Sequence, residues 1–276
     1  MPALRAFAVG AAFFILTLMS APIQYLSIRF KWKLQKTYPH GYHRFLCRMF
    51  GIRITVIGKP VLDRGVLMVA NHGGYFDILI MSAAAPVSFV ARDDVKSWPL
   101  FGLMARLQRS VFVERTRRRQ TGDARAELRR RLQEGDALVL FAEGTSTDGN
   151  RVIAFKSALM GSAETEIGKD SLGNPVYVPV QPVSISYVGL QGMPMGRENR
   201  PLIAWYGEMD LMSHLWEALK AGPFEVVVEF HPPLAADATH GRKEIAAQAE
   251  ALVRRGHMRA LNGLAETGRE PAEKAA

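Results

Sequence analysis

His72 and Asp77 stand five residues apart in "NHGGYFD", directly after the apolar run Val66–Ala70. A neutral imidazole, with an ordinary pKa near 6.5, can accept a proton at physiological pH. A carboxylate bonded to its other nitrogen fixes the tautomer and stabilises the imidazolium once formed. The pair therefore suits general-base chemistry on a hydroxyl, given an electrophile within reach. Gly73 and Gly74 leave room for a bulky reactant beside the ring. The same letters also fit a plain Asn/Gly turn with an aspartate capping a helix.

Other residues suited to chemistry sit where further apolar runs end. Glu114 and Arg115 follow "SVFV", Glu143, Gly144 and Thr145 follow "ALVLFA", and Lys156 lies one turn beyond. Several alternatives are absent. There is no G-x-S-x-G, so the hydrolase nucleophile elbow is missing. "GSAETEIGKD" has the wrong spacing for a phosphate-binding loop. The seven histidines show no H-x-x-x-H or H-E-x-x-H pairing, which argues against a zinc site. What remains is chemistry without a metal, a nucleotide or a protein nucleophile.

These residues need a scaffold that brings strand ends together. After Gly51 short apolar runs alternate with helical spacing. Strands are predicted at Ile52–Ile57, Val66–Ala70, "VSFVA", "SVFVE", "ALVLFAEG", "VYVPVQPVSISY" and "FEVVVEF", with "LIAWYG" a further apolar run. Between them helices are predicted from Asp77 to Ala84, through "DVKSWPLFGLMARL", from Arg117 to Leu132, around Phe155–Met160, near Met212–Leu219 and from Arg242 to Leu261. Alternation of this kind gives an α/β sheet flanked by helices, and ligands of such sheets bind beyond the strand carboxyl ends. Residues 51–261 read as one domain, 1–50 as a membrane-anchoring segment and 262–276 as a disordered tail.

The charge is localised. Residues 1–60 hold nine Lys/Arg and no Asp or Glu, which accounts for the whole net charge of +9. Nucleic-acid binding across a domain does not explain that distribution. The same segment contains Ala6–Ile28, 23 residues without a charge. As a helix it would reach about 35 Å, against a hydrocarbon core of roughly 30 Å. Lys/Arg interleaved with Phe30, Trp32, Tyr38, Tyr42, Phe45 and Phe50 follow. That mixture suits the anionic cytoplasmic leaflet, whether the run spans the bilayer or enters it shallowly. A cleaved signal peptide is the third reading, for which "LMSAPIQY" offers only a weak site. The single cysteine, Cys47, excludes a disulfide framework.

"NHGGYFD" resembles the N-H-x-x-x-x-D block of the glycerolipid acyltransferases, the 1-acylglycerol-3-phosphate acyltransferase family. Three further blocks follow in that family's order: "VFVER" (Arg115), "LFAEGTS" (Glu143, Gly144, Thr145) and "YVPVQPV" (Pro179). "AFKSALM", with Lys156, is similar to a segment found soon after the third block. The resemblance implies an α/β, mixed-sheet acyltransferase domain with N-terminal membrane-associated helices. It implies transfer of a fatty acyl group from an acyl carrier protein or coenzyme A thioester to a lysolipid hydroxyl, with no bound cofactor and no metal. His72 would be the general base and Asp77 its orienter. Arg115 and Lys156 would bind acceptor phosphate in a pocket shaped by Glu143, Gly144 and Thr145.

Three departures from the family pattern stand out. Ala142 replaces a proline, Ser146 an arginine and Arg109 a glycine. The missing cation at Ser146 bears on the acceptor headgroup. The leading expectation is lysophosphatidic acid acylated to phosphatidic acid at the cytoplasmic membrane, with the domain on the cytoplasmic side. The alternative acceptor is another lysolipid, such as a lyso-ornithine lipid. A non-catalytic membrane-surface protein is the reading from another class, and it leaves His72 and Asp77 without a use.

Overall fold

The computed structural model describes residues 2–98, 100–113, 118–169, 173, 175–234 and 241–264. Two helices come first, Pro2–Arg29 (α1) and Leu34–Phe50 (α2). Then follow Ile52–Ile57 (β1), Val66–Ala70 (β2), Phe76–Ala84 (α3), Ser88–Arg92 (β3), Phe101–Leu107 (α4) and Val111–Val113 (β4). The middle of the chain forms Arg118–Gln133 (α5), Ala137–Phe141 (β5), Glu166–Lys169 (β6), Pro175–Tyr177 (β7) and Val180–Leu190 (β8). Met193–Pro194 (β9), Leu211–Ala221 (α6), Phe224–Phe230 (β10) and Arg242–Leu261 (α7) complete it.

The main sheet runs β1-β10-β8-β2-β5-β3-β4, with β9 added to β8. Strands β8, β2, β5, β3 and β4 are mutually parallel, and β10 with β1 runs against them. It is therefore mixed, as expected. Strand β2 is buried along its whole length because helices cover both faces. On one face Met68, Val139, Ile185 and Val228 pack with Leu46 and Phe50 of α2 and Ile80 of α3. On the other, Leu67, Val69 and Leu138 meet Leu132 of α5 and Val253 of α7. His40 Nδ1 lies 2.7 Å from the Ser82 carbonyl and ties α2 to α3, the helix that carries Asp77.

The apolar run "LIAWYG" is a short 3-10 turn and loop that fills a gap beside the site, with Ile203 and Ala204 fully buried. One expected strand differs. "VYVPVQPVSISY" is broken after Tyr177, where β7 turns away to pair with β6. The helix expected around Phe155–Met160 is instead 3-10, Ser157–Glu164. Arg109 adopts φ 58°, a backbone region in which glycine is at ease. Its guanidinium pairs at 3.0 Å with buried Asp136, which also holds Arg131 and Lys36.

Helix α1 is long and apolar enough to cross a membrane. Its inner face is mixed: Ala6 is fully buried and Val9 and Phe13 pack on the core beside inward-facing Thr17, Gln24 and Ser27, whereas Phe7, Phe14, Ile15, Leu18 and Met19 are exposed. Polar bonds dock it along its length: Arg5 donates to the Leu219 and Phe50 carbonyls, Thr17 Oγ1 meets Tyr42 Oη at 2.6 Å, and Gln24 Nε2 donates to the Leu107 and Gln35 carbonyls. Because the outer face supports no core, Phe14→Ser with Leu18→Ser should change unfolding free energy by less than about 0.5 kcal/mol each. Detergent bound per molecule should fall, as measured by light scattering. A large loss of stability would contradict this account of α1.

Candidate active site

The site forms where β2 and β5 end and β8 runs on. Asn71 closes β2: its amide donates to the Ile185 carbonyl and accepts the Ile185 amide, both at 2.8 Å. The side chain thus extends the β2–β8 ladder while the backbone leaves the sheet. His72 follows, with its ring stacked on Phe141 at 4.0 Å between centroids. Its Nδ1 lies 2.8 Å from Asp77 Oδ2. A proton on Nδ1 donates to the carboxylate, so the Nε2 lone pair is left outward. The imidazole is 22% exposed and Asp77 is fully buried.

Asp77 sits in the first turn of α3, where a helix end favours an anion. Its Oδ2 also accepts the amides of Gly73 at 2.6 Å and Gly74 at 3.0 Å. The tyrosine hydroxyl of Tyr187, on β8, donates to Oδ1 at 2.5 Å. Asp77 does not cap α3, whose N-terminal residue Tyr75 has no side-chain cap; its carboxylate instead closes back on the loop before the helix and on His72. The two glycines do not open space for a reactant, contrary to expectation. A Cβ on Gly73 would stand 2.7 Å from the Tyr187 ring, and one on Gly74 would stand 2.8 Å from the Trp205 amide, where φ is already +151°. Their bare backbone lets the chain's own residues close around Asp77.

Glu143 joins this group from beyond β5. Its Oε2 accepts the His72 amide and its Oε1 the Ile153 amide, each at 2.7 Å. Thr147 donates its amide to the His72 carbonyl at 2.9 Å, so the loops after β2 and β5 are tied twice. The Lys156 side chain lies across Gly144: a Cβ there would be 3.0 Å from Lys156 Cδ. Lys156 and Thr145 are exposed. Ala142 donates its amide to the Ala70 carbonyl at 3.1 Å, a ladder bond that the family's proline has no N–H to make. Glu114 and Arg115 lie outside the described residues. Tyr187 was missed by the sequence reading, and no local pattern points to it, for it is 110 residues from Asp77.

The Acyltransferase family pattern matches residues 53–186. The chain is 44% identical over 251 residues to the lyso-ornithine lipid O-acyltransferase of Brucella abortus, covering 91% of this chain and 93% of that one. It is 43% identical to the protein of the same name from Rhizobium meliloti, over 86% of this chain and 80% of that one. With a 1-acyl-sn-glycerol-3-phosphate acyltransferase of Neisseria gonorrhoeae it shares 30% identity over 63% of each chain. The crystal structure of the 1-acyl-sn-glycerophosphate (LPA) acyltransferase of Thermotoga maritima superposes with a TM-score of 0.63, covering 94% of this chain and 97% of that one at 21% identity.

Burial pushes the Glu143 carboxyl up to about 8 from an ordinary 4.5, outweighing the amides of Ile153 and His72, which favour the anion. A carboxyl raised in the folded state stabilises fully below its unfolded value, and that stability is lost as pH rises through the folded value. Unfolding free energy should therefore decline from about pH 4.5 to about pH 8. Glu143→Gln should be less stable at pH 5, because its NH2 faces a backbone N–H, yet lack that decline. Urea titrations across the range check it; an unchanged slope in the variant would contradict the assignment.

Proposed function

Because the chain belongs to the glycerolipid acyltransferase family, we propose that it esterifies the free hydroxyl of a lyso-ornithine lipid with an acyl group from an acyl thioester. That it acylates a lysolipid follows from the family; the headgroup is the finer step. The sequence reading led with lysophosphatidic acid, and the relatives favour its alternative instead. The observation that carries the proposal is identity above 40% across most of the chain to proteins named for lyso-ornithine lipid. Those named for lysophosphatidic acid match at 30% over a shorter stretch.

Charge supports the same choice. A phosphomonoester brings close to two negative charges and is usually met by several cations or a helix N-terminus. An ornithine headgroup brings an ammonium and a carboxylate. Here Ser146 stands where the family pattern has an arginine, and Glu143 is not a cation donor. Lys156 and Arg115 remain as partners for a single carboxylate.

In the proposed reaction His72 Nε2 removes the proton from the acceptor hydroxyl. The oxygen attacks the thioester carbonyl, the C–S bond breaks, and the imidazolium returns its proton to the leaving thiolate. Asp77 holds the ring and stabilises its charged form, so no acyl-enzyme is needed. The donor is an acyl carrier protein or coenzyme A thioester. Glu143 serves by holding the His72 and Ile153 amides, with Gly144 and Thr145 at the pocket rim. The exposed face of α1 meets the membrane, and the basic residues after it meet the cytoplasmic leaflet. Docking from Arg5 to Gln24, about 28 Å along the helix, favours a shallow in-plane position over an isolated span.

Purified protein in mixed micelles, given labelled acyl thioester and a panel of lysolipids, should acylate lyso-ornithine lipid well above lysophosphatidic acid. His72→Ala should lower the rate by about 10²- to 10⁴-fold, the usual range of general-base assistance, with Asp77→Asn close behind. Ser146→Arg should improve the use of lysophosphatidic acid. Preference for lysophosphatidic acid in the unaltered protein would overturn the acceptor, whereas an active His72→Ala would overturn the mechanism.

A further inference from the structure

We infer that Tyr187 is a positioning residue of this site: its buried hydroxyl fixes the Asp77 carboxylate so that His72 keeps its Nε2 lone pair outward. This rests on the reading of His72 and Asp77 as base and orienter. Tyr187 lies one residue beyond the segment that the family pattern matches.

The two oxygens of Asp77 are served unequally. Oδ2 takes three donors, His72 Nδ1 and the Gly73 and Gly74 amides, all from one short loop. Oδ1 takes the Tyr187 hydroxyl, its one hydrogen-bond donor among the described residues. Without that donor the carboxylate would hang from a loop by one oxygen and could turn about its Cβ–Cγ bond. Tyr187 instead ties it to the sheet.

The tie is stiff. Strand β8 passes the end of β2, whose last paired residue, Ala70, faces Val183, and Tyr187 projects on the same face four residues on. The ring is 2% exposed and meets Phe224 edge-on at 5.9 Å, and the Tyr187 carbonyl accepts Arg200 Nε at 3.2 Å. Gly73 has no side chain, and a methyl group there would overlap the ring. Burial and the adjacent Asp77 charge push the phenol well above its ordinary pKa, so it stays a donor throughout the working range.

Removing the hydroxyl has a consequence that packing alone lacks. Asp77 with one donor fewer can turn off His72 Nδ1, and the ring then loses the bond that selects its Nδ1–H tautomer. A ring with its proton on Nε2 has no lone pair there to take the proton of the acceptor hydroxyl. Among the described residues, His72 is held by Asp77 from α3 at Nδ1, by Glu143 from beyond β5 at its backbone amide and by the stacked, uncharged Phe141.

The test uses full-length Tyr187→Phe protein with an acyl thioester and a lysolipid acceptor, with kcat and KM measured and the His72 tautomer read by nitrogen NMR of histidine-labelled protein. The expected result is a kcat lower by roughly tenfold, less than loss of the base itself. KM should stay within about twofold, and His72 should divide between the Nδ1–H and Nε2–H tautomers where the parent holds Nδ1–H. A protein carrying 4-aminophenylalanine at 187, a weaker donor that fills the same space, should lie between the two in both readouts; it also decides the matter if Tyr187→Phe does not fold. An unmoved tautomer overturns the inference, including where kcat falls in step with the folded fraction, because that is a packing role. His72→Ala is assayed beside them: if it is active, the base reading has failed, and that failure is separate from any result at Tyr187.

Discussion

A carboxylate taken out of water costs several kcal/mol unless hydrogen bonds replace the lost hydration. Asp77 is fully buried, and the surrounding chain is arranged around meeting that requirement. Its four donors come from His72, two successive glycine amides and a tyrosine on a different strand. Each donor imposes something. The glycine amides require a loop whose residues lack side chains. The tyrosine requires β8 to outrun β2, and the imidazole requires Asn71 to end β2 cleanly. Glu143 then pins the His72 amide from the neighbouring strand end. The His72 Nε2, the base in the proposed reaction, is what is left over once these bonds are made.

Much of this was legible in the sequence. The bounds Ile52–Ile57, Val66–Ala70 and Arg242–Leu261 are set by local pattern, and the structure has them. His72 and Asp77 sit in one heptapeptide, so their meeting is a short-range event that spacing can reveal. Glu143 was legible as a block but not as a clamp on two backbone amides, because its partners are set by sheet order. Tyr187 was not legible: alternation places it on a buried face, and nothing local says which carboxylate that face meets. Trp205 failed differently. "LIAWYG" stands out in the sequence only as an apolar run, and it serves as filler against Gly73 and Gly74, with the Trp205 amide donating to the Gly73 carbonyl at 2.8 Å.

The N-terminal segment follows a different physical rule from the rest. In water a helix buries its apolar stripe, whereas α1 leaves a row of large apolar side chains exposed and turns Thr17, Gln24 and Ser27 inward beside Val9 and Phe13. Composition foretold an apolar helix; it did not foretell that Arg5, Thr17 and Gln24 would fasten it to the domain. Under the proposed function, a helix held this way would bring the domain to the lipid surface, where a lysolipid acceptor resides.

The account depends on the state of one ring: His72 carrying its proton on Nδ1, toward Asp77, with Nε2 bare. Nitrogen NMR of protein labelled at histidine measures this directly, with His72 assigned by its loss in His72→Ala. The account predicts a neutral ring protonated at Nδ1, with that proton shifted far downfield by the carboxylate, and a mixed or reversed tautomer in Asp77→Asn. A resting His72 protonated at Nε2, or one indifferent to Asp77→Asn, would contradict it.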